Sequence, residues 1–248
     1  MEFPEKDETI FGIRSILEAL NAGRQIDKIF LQKGLSNDLS AQLKGQARIH
    51  QTPISFVPPV TIERMARGKN HQGAIATLSP IEFAPLSEIL LQVVESGEVP
   101  LLVMLDQVTD VRNLGAIART LEAMGGHALI VPVQGSARIN AEAVKASAGA
   151  LHHVPVCREP NLRDTLLMLK DSGIHIVACH ESATLPINRE DLSIPVCFVF
   201  GSESSGISTP LLKLSDSEVF IPLKGKIASL NVSVAAGMIL YEAMSQRN

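Results

Sequence analysis

The sequence predicts an α/β protein in two parts. A small α/β unit covers residues 1–80, a larger α/β domain with a parallel sheet covers residues 100–248, and a connector runs over 81–99. Three observations lead there. Runs that are apolar throughout, such as Leu101–Leu105 (LLVML) and Val196–Phe200 (VCFVF), suit strands buried on both faces of a parallel sheet. Apolar residues at helical spacing separate them. Pro80, Pro85 and Pro100 punctuate a stretch with acidic but no basic residues, the composition of a connector.

Taken in order, Ile13, Ile16, Leu17 and Leu20 make one helix face. A strand follows at 28–32, a helix at 38–47, a strand at Ile54–Val57, a helix at 62–67 and a strand at Ala74–Leu78. The connector holds one apolar helical stretch, 89–94. The second part then reads as strand Leu101–Leu105, helix 113–124, strand Ala128–Pro132, helix 140–148, helix 162–170, strand 174–179, strand Val196–Phe200, an extended segment at 218–222 and a closing apolar helix at 229–244. In that last helix Ser233, Ala235, Ala236 and Gly237 are small enough for backbone or ligand to come close.

Composition narrows the function classes. With 46% hydrophobic and 19% charged residues the chain has ample core-forming surface. No apolar run reaches the roughly 18–20 residues that span a bilayer, and residues 1–14 lack a basic-then-apolar leader, so a cytoplasmic protein is expected. Cys157, Cys179 and Cys197 form no CxxC pair and are expected as buried thiols. His152, His153, His175 and His180 show no metal-ligand spacing, and no metal is expected. With one Tyr, eight Phe and no Trp, an aromatic base-stacking platform is also disfavoured. Charge is uneven: residues 9–80 carry nine basic against four acidic side chains, whereas the whole chain has a net charge of −4. A basic front section on an acidic whole suits a polyanion-binding module.

Ligands of open α/β sheets sit beyond the carboxyl ends of the strands, and three segments there are unusual. After LLVML, Asp106, Asp110, Arg112, Asn113 and Arg119 crowd a strand end and the first turns of a helix. Asp110 or Asn113 serves as its cap, while Gly115 and Ala116 thin the helix enough for a partner to approach. After VCFVF comes GSESSG, residues 201–206, with one acid, Glu203; it matches neither GxGxxG nor GxxxxGK[ST]. The third segment, 221–244, joins a basic turn (Lys224, Gly225, Lys226) to Ser229, Asn231 and Ser233, with Ser229 the expected helix cap.

Together NLGAIAR at 113–119, FGSESSG at 200–206 and IPLKGKIASLNVSVA at 221–235 resemble the three motifs of the SpoU (TrmH-type) RNA ribose 2′-O-methyltransferases, in order and in spacing. GIRSILEAL at 12–20 and HQGAIA at 71–76 resemble the front module of the RlmB-like members. Val111 departs from the pattern, which usually has Pro there. The resemblance implies a SPOUT domain whose parallel sheet ends in a trefoil knot, preceded by a small ribosomal-protein-like RNA-binding domain. It also implies S-adenosylmethionine as cofactor, a homodimer, and RNA, 23S rRNA before tRNA, as partner, with no DNA and no membrane. Carried over by residue, Asn113, Arg119, Glu203 and Ser233 stand at the reacting ribose, with Glu203 expected to anchor Arg119 and Asn113 to orient Arg119 or the loop. Gly201, Ile221, Leu230 and Asn231 stand at the cofactor, and Arg14, His71 and Gln72 at the RNA.

Two readings from other classes compete. A non-catalytic RNA-binding factor would keep the fold without turnover. A nicotinamide-dependent oxidoreductase needs a Gly-rich first turn, which LDQVTDVRN lacks.

Overall fold

The computed structural model describes residues 9–227 and 229–247; residues 1–8 of the expected first unit, Ala228 and Asn248 lie outside the described residues. Contacts divide the chain into two units, 1–82 and 83–248.

The first unit is built from β1 (Thr9–Phe11), α1 (Ile13–Asn21), β2 (Ile26–Gln32), α2 (Asp38–Ile49), β3 (Ile54–Val57), α3 (Pro59–Ala66) and β4 (Ala74–Leu78). Its sheet runs β1-β4-β2-β3, with β2 and β3 parallel and β4 antiparallel to both of its neighbours. Strand alternation sorts the core. Ile29, Leu31, Ala74 and Ala76 bury against Ile16 and Leu20 of α1 and Leu43 and Ala47 of α2, while Phe30 and Ile75 point the other way onto Ile62 and Ala66 of α3. Asn37 and Ser40 start α2 with a reciprocal capping box: the Ser40 N–H donates to Asn37 Oδ1 at 2.8 Å and the Asn37 N–H to Ser40 Oγ at 3.1 Å. Pro59 stands in the first turn of α3, where its missing N–H costs nothing.

The second unit begins earlier than the sequence suggests. The stretch expected as a connector contains α4 (Leu86–Glu95), which buries Leu86, Ile89, Leu90 and Val93 in the core of the larger sheet. Before it, the Ala84 N–H donates to Val156 O at 3.0 Å, and the Arg158 guanidinium lies 3.6 Å from the Phe83 ring centre. The prolines mark the ends of an amphipathic helix, and burial of its apolar face makes it part of the domain.

Beyond α4 come β5 (Leu101–Leu105), α5 (Val111–Ala123), β6 (Ala128–Pro132), α6 (Ala141–Ala146), β7 (Val156–Glu159), α7 (Leu162–Asp171), β8 (His175–Cys179), β9 (Leu185–Pro186), β10 (Val196–Phe200), α8 (Thr209–Leu212), β11 (Ser217–Phe220) and α9 (Val232–Arg247). The described strands form one parallel sheet, β7-β6-β5-β10-β8-β11-β9. Every residue of β5 and β10 is buried. Leu102, Met104, Cys197 and Val199 pack on α4 and α7; Val103, Phe198 and Phe200 point to the opposite face and are buried there too. This double burial is why these strands carry no alternation. Proline is tolerated in β9 because that strand is an edge.

The sequence did not reveal β1, β7, β9 or α8, all of four residues or fewer. Gly115 is thin for a reason other than the expected partner. A Cβ there would lie 2.6 Å from Ala146 Cβ and 2.9 Å from both Ala143 O and Ser147 N, so the glycine is filled by α6.

Candidate active site

Strand order reverses between β5 and β10: the chain goes from β5 outward to β6 and β7, and fills the other side with β8 to β11. A crevice at such a point, beyond the carboxyl ends of the strands, is where open parallel sheets place their ligands. Here it is framed by two loops tied together. The Asp106 N–H donates to Phe200 O at 2.8 Å, and buried Asp106 accepts the Ser208 N–H on Oδ2 at 2.7 Å. Gly201, at the mouth of β10, has no space for a side chain, since a Cβ would meet the Gly206 carbonyl carbon at 2.1 Å. The loop folds back on itself through the Gly206 N–H to Ser202 O bond of 2.9 Å and the Ser205 N–H to Ser202 Oγ bond of 3.1 Å.

Four of the expected site residues meet in this crevice. Asn231 Nδ2 donates to Glu203 Oε1 at 2.7 Å and to Asn113 Oδ1 at 3.0 Å, and Asn113 Nδ2 donates to the same Glu203 oxygen at 3.3 Å. The Oδ1 of Asn231 accepts from the Ser233 N–H at 2.9 Å and from Ser233 Oγ at 2.6 Å. Residues 118 and 28 positions apart are thus joined through one amide. Each element contributes through its end. Asp110 caps α5 by accepting the Arg112 N–H at 2.7 Å, which sets Asn113 in the first turn. Asn231 precedes the first residue of α9 and takes the Ser233 N–H, so the helix cap is Asn231 and not the expected Ser229. The side-chain hydrogen bond from Arg112 holds the Asp110 carboxyl below the usual carboxylate range.

Arg119 stands apart from this quartet. Six positions beyond Asn113 on α5 it has turned about 240° round the helix, its side chain is exposed, and no hydrogen bond or ion pair joins it to another described residue. Glu203, expected to anchor that arginine, accepts from Asn231 and Asn113 instead, and Asn113, expected to orient Arg119 or the loop, bonds the loop through Glu203. Of the expected cofactor positions, Asn231 belongs to the quartet and Leu230 is half-buried beside it. Ile221 lines a groove of about 560 Å³ with Pro222, Val234, Met238 and Tyr241. The quartet holds one carboxylate and no cation, a donor set suited to a positively charged sulfonium. No group of His, Cys, Asp and Glu among the described residues could hold a metal. The three cysteines are free, and burial pushes the Cys157 thiol up to about 12. No helix among the described residues is long and apolar enough to cross a membrane.

The expected RNA contacts lie in the first unit. Arg14 and Gln72 are exposed. His71 is committed to its own turn, its Nδ1 accepting the Gly73 N–H at 3.0 Å and its Nε2 lying 3.2 Å from Glu63 Oε1. Glu63 and the Asp106–Ser208 tie had no local sequence signal, because each pairs residues of separate elements.

Comparison with known proteins places the chain in a family. The SpoU rRNA Methylase family model matches residues 100–241, and the model for RNA 2′-O ribose methyltransferase substrate binding matches residues 9–84. The Bacillus subtilis protein YacO, which carries a TrmH family tRNA/rRNA methyltransferase name, is 32% identical over 98% of this chain and 98% of its own. Among solved structures, the SpoU methyltransferase AviRb from Streptomyces viridochromogenes with AdoMet bound matches with a TM-score of 0.61 and 26% identity, over 96% of this chain and 90% of that one. The TrmH/SpoU tRNA modifying enzyme of A. aeolicus matches with a TM-score of 0.55 and 32% identity, over 65% of this chain and 84% of that one. The chain therefore belongs to the SpoU family of RNA methyltransferases, whose methyl donor is S-adenosylmethionine.

Proposed function

We propose that this RNA methyltransferase acts on a ribose 2′-oxygen, with a guanosine of 23S rRNA as substrate in the manner of the RlmB-like members, and that it works as a cytoplasmic homodimer. The observation that carries the reading is the Asn113–Glu203–Asn231–Ser233 quartet at the switch between β5 and β10. Support for rRNA comes from the front unit: the A. aeolicus tRNA enzyme matches only 65% of this chain, leaving a share the size of that unit unmatched. Asn231 returns from the far side of β8 to bond α5 and the β10 loop, as a knotted C-terminal segment requires.

When bound, S-adenosylmethionine supplies an electrophilic methyl group. The task of the chain is to hold a ribose hydroxyl in line with it and to stabilise the charge that develops on the oxygen. Glu203, fixed by two amide donors, would hold the cationic end of the cofactor. Ser233 and Asn113 orient the ribose. Arg119, exposed and joined to no other described residue by a hydrogen bond or ion pair, offers a planar guanidinium that receives phosphate or the developing oxyanion. The hydroxyl proton leaves to a substrate phosphate or to solvent. Val234, Met238 and Tyr241 form an exposed apolar stripe at helical spacing on α9, beside the groove, and a second copy seated there gives a self-complementary two-fold contact. Three unpaired thiols suit a reducing compartment.

The test is transfer of labelled methyl from S-adenosylmethionine to unmodified large-subunit rRNA and, in parallel, to tRNA, with the product mapped by resistance to alkaline cleavage. An alkali-resistant site in rRNA alone is expected. Label in tRNA alone overturns the substrate, and alkali-sensitive label overturns the ribose position.

A further inference from the structure

We infer that Gln72 is the residue of the N-terminal unit that reads an unpaired RNA base, and that His71 and Glu63 are positioning residues for it. The inference rests on the RNA substrate proposed above and adds to it a specificity-determining side chain.

Residues 71–74 form a tight turn closed by the Ala74 N–H donating to His71 O at 2.7 Å. Both central residues have positive φ, 45° at Gln72 and 80° at Gly73, which is the mirror-image turn whose first central position normally takes Asn, Asp or Gly. Gly73 is required there by its φ, and a Cβ would also lie 2.7 Å from the end of the Leu35 side chain, which would have to shift. Gln72 is not required. Glycine would adopt the same backbone without the steric penalty of a Cβ, and the exposed Gln72 amide has no hydrogen-bond partner among the described residues. Local stability therefore does not account for a glutamine at this position. A primary amide offers a donor and an acceptor side by side, the pattern that pairs with the edge of a nucleobase, and unpaired RNA leaves such edges open.

The surroundings support that use. His71 has only 12% of its side chain exposed. Its Nδ1 accepts the Gly73 N–H and its Nε2 lies 3.2 Å from Glu63 Oε1, so one ring links the turn to α3. The Gln72 side chain lies over Gly12, with Oε1 3.5 Å from where a Cβ would be. Next to Gly12, the ring of Phe11 carries the Lys69 ammonium 4.4 Å from its centre. Two residues beyond Gly12, Arg14 is exposed. Neither cation has an ion-pair partner among the described residues. Lys69, on the ring of the residue before Gly12, and Arg14, two residues after it, are thus cations next to the position the amide covers, and phosphate contacts fix the register in which a base contact can specify.

The test uses the full chain and reads melting temperature, cofactor Kd, and KM and kcat with RNA. Gln72→Gly is expected to raise the melting temperature, because the strain is relieved. It should raise KM for RNA about 10-fold, in line with the loss of a good amide–base pair, with cofactor Kd and kcat at saturating RNA unchanged. Gln72→Glu keeps shape and strain, removes the N–H donors and is expected to weaken RNA capture as well. His71→Ala should raise KM in the wild-type background and add nothing on Gln72→Gly, since it acts through that residue. Unchanged KM in a more stable Gln72→Gly overturns the inference, and so does a lower melting temperature, which assigns the side chain to the fold. If the wild type transfers methyl to no RNA, the proposed function fails on its own, and direct RNA affinities of the same variants still decide the role of Gln72.

Discussion

Replacing Asn231 with Asp keeps the size of the side chain and exchanges its NH2 for a carboxylate oxygen. That oxygen faces Glu203 Oε1 at the 2.7 Å now spanned by a hydrogen bond. Two unit charges at that distance repel by about 6 kcal/mol at an effective dielectric of 20 and by about 1.5 kcal/mol in bulk water. Both side chains are exposed, so screening draws the value toward the lower figure. Even that is about a 10-fold change in rate if the quartet must be intact for transfer. The helix cap survives, because Asp caps as well as Asn, so any fall in melting temperature at pH 8 reflects the repulsion and should fade as the pH falls. Methyl transfer by Asn231→Asp at pH 8 is expected to fall 10- to 100-fold. Activity should recover as the pH falls and one of the two coupled carboxyls takes up a proton. Asn231→Ala supplies the control, losing the same bonds without repulsion and without that recovery. Activity of Asn231→Asp within twofold of wild type at pH 8, or a pH profile identical to that of Asn231→Ala, refutes the reasoning.

Gly115→Ala gains about 1 kcal/mol in helix propensity but drives a methyl to 2.6 Å from Ala146 Cβ and 2.9 Å from two backbone atoms of α6. Overpacking of that kind costs roughly 1–3 kcal/mol, so urea unfolding should show a net loss of up to about 2 kcal/mol; a stabilised variant counts against the packing described. Arg119→Lys keeps the charge and loses the planar fork, so kcat should drop with little change in cofactor Kd, and near-wild-type turnover with an unchanged pH dependence excludes a specific guanidinium geometry. Burial alone would raise Asp216, yet the Lys170 ammonium at 2.6 Å and the Ile176 N–H at 2.9 Å hold its carboxyl below the ordinary value. Its contribution is therefore present above the unfolded-state pKa of about 3.9 and lost as pH falls through the lower folded-state value. The stability gap between wild type and Asp216→Asn should be constant above about pH 5 and shrink below about pH 4.

Much of this molecule is written locally. The apolar runs at Leu101–Leu105, Ala128–Pro132 and Val196–Phe200 name their strands to the residue, because a strand buried on both faces can carry nothing polar. The three motif segments also marked which loops hold the polar residues of the site, since polar groups at strand ends and first helical turns stand out against such runs. What local pattern lacked was any statement about pairing. The short strands Thr9–Phe11 and Leu185–Pro186 exist only because neighbouring strands accept them, and α4 joined the second unit because an apolar face needs a sheet to lie on.

The site divides along the same line. The sequence by itself determined the family, the parallel sheet and the identity of Asn113, Glu203, Asn231 and Ser233. Only the tertiary structure decided that Asn231 is the hub joining the other three, that Arg119 bonds to none of them, that Gly115 serves helix packing, and that His71 closes onto Gly73 in its own turn. The physical reason is reach. Capping, periodicity and backbone preference act over a few residues and leave a mark in the chain, whereas a hydrogen bond between residues 118 positions apart depends on where two strand ends come to lie.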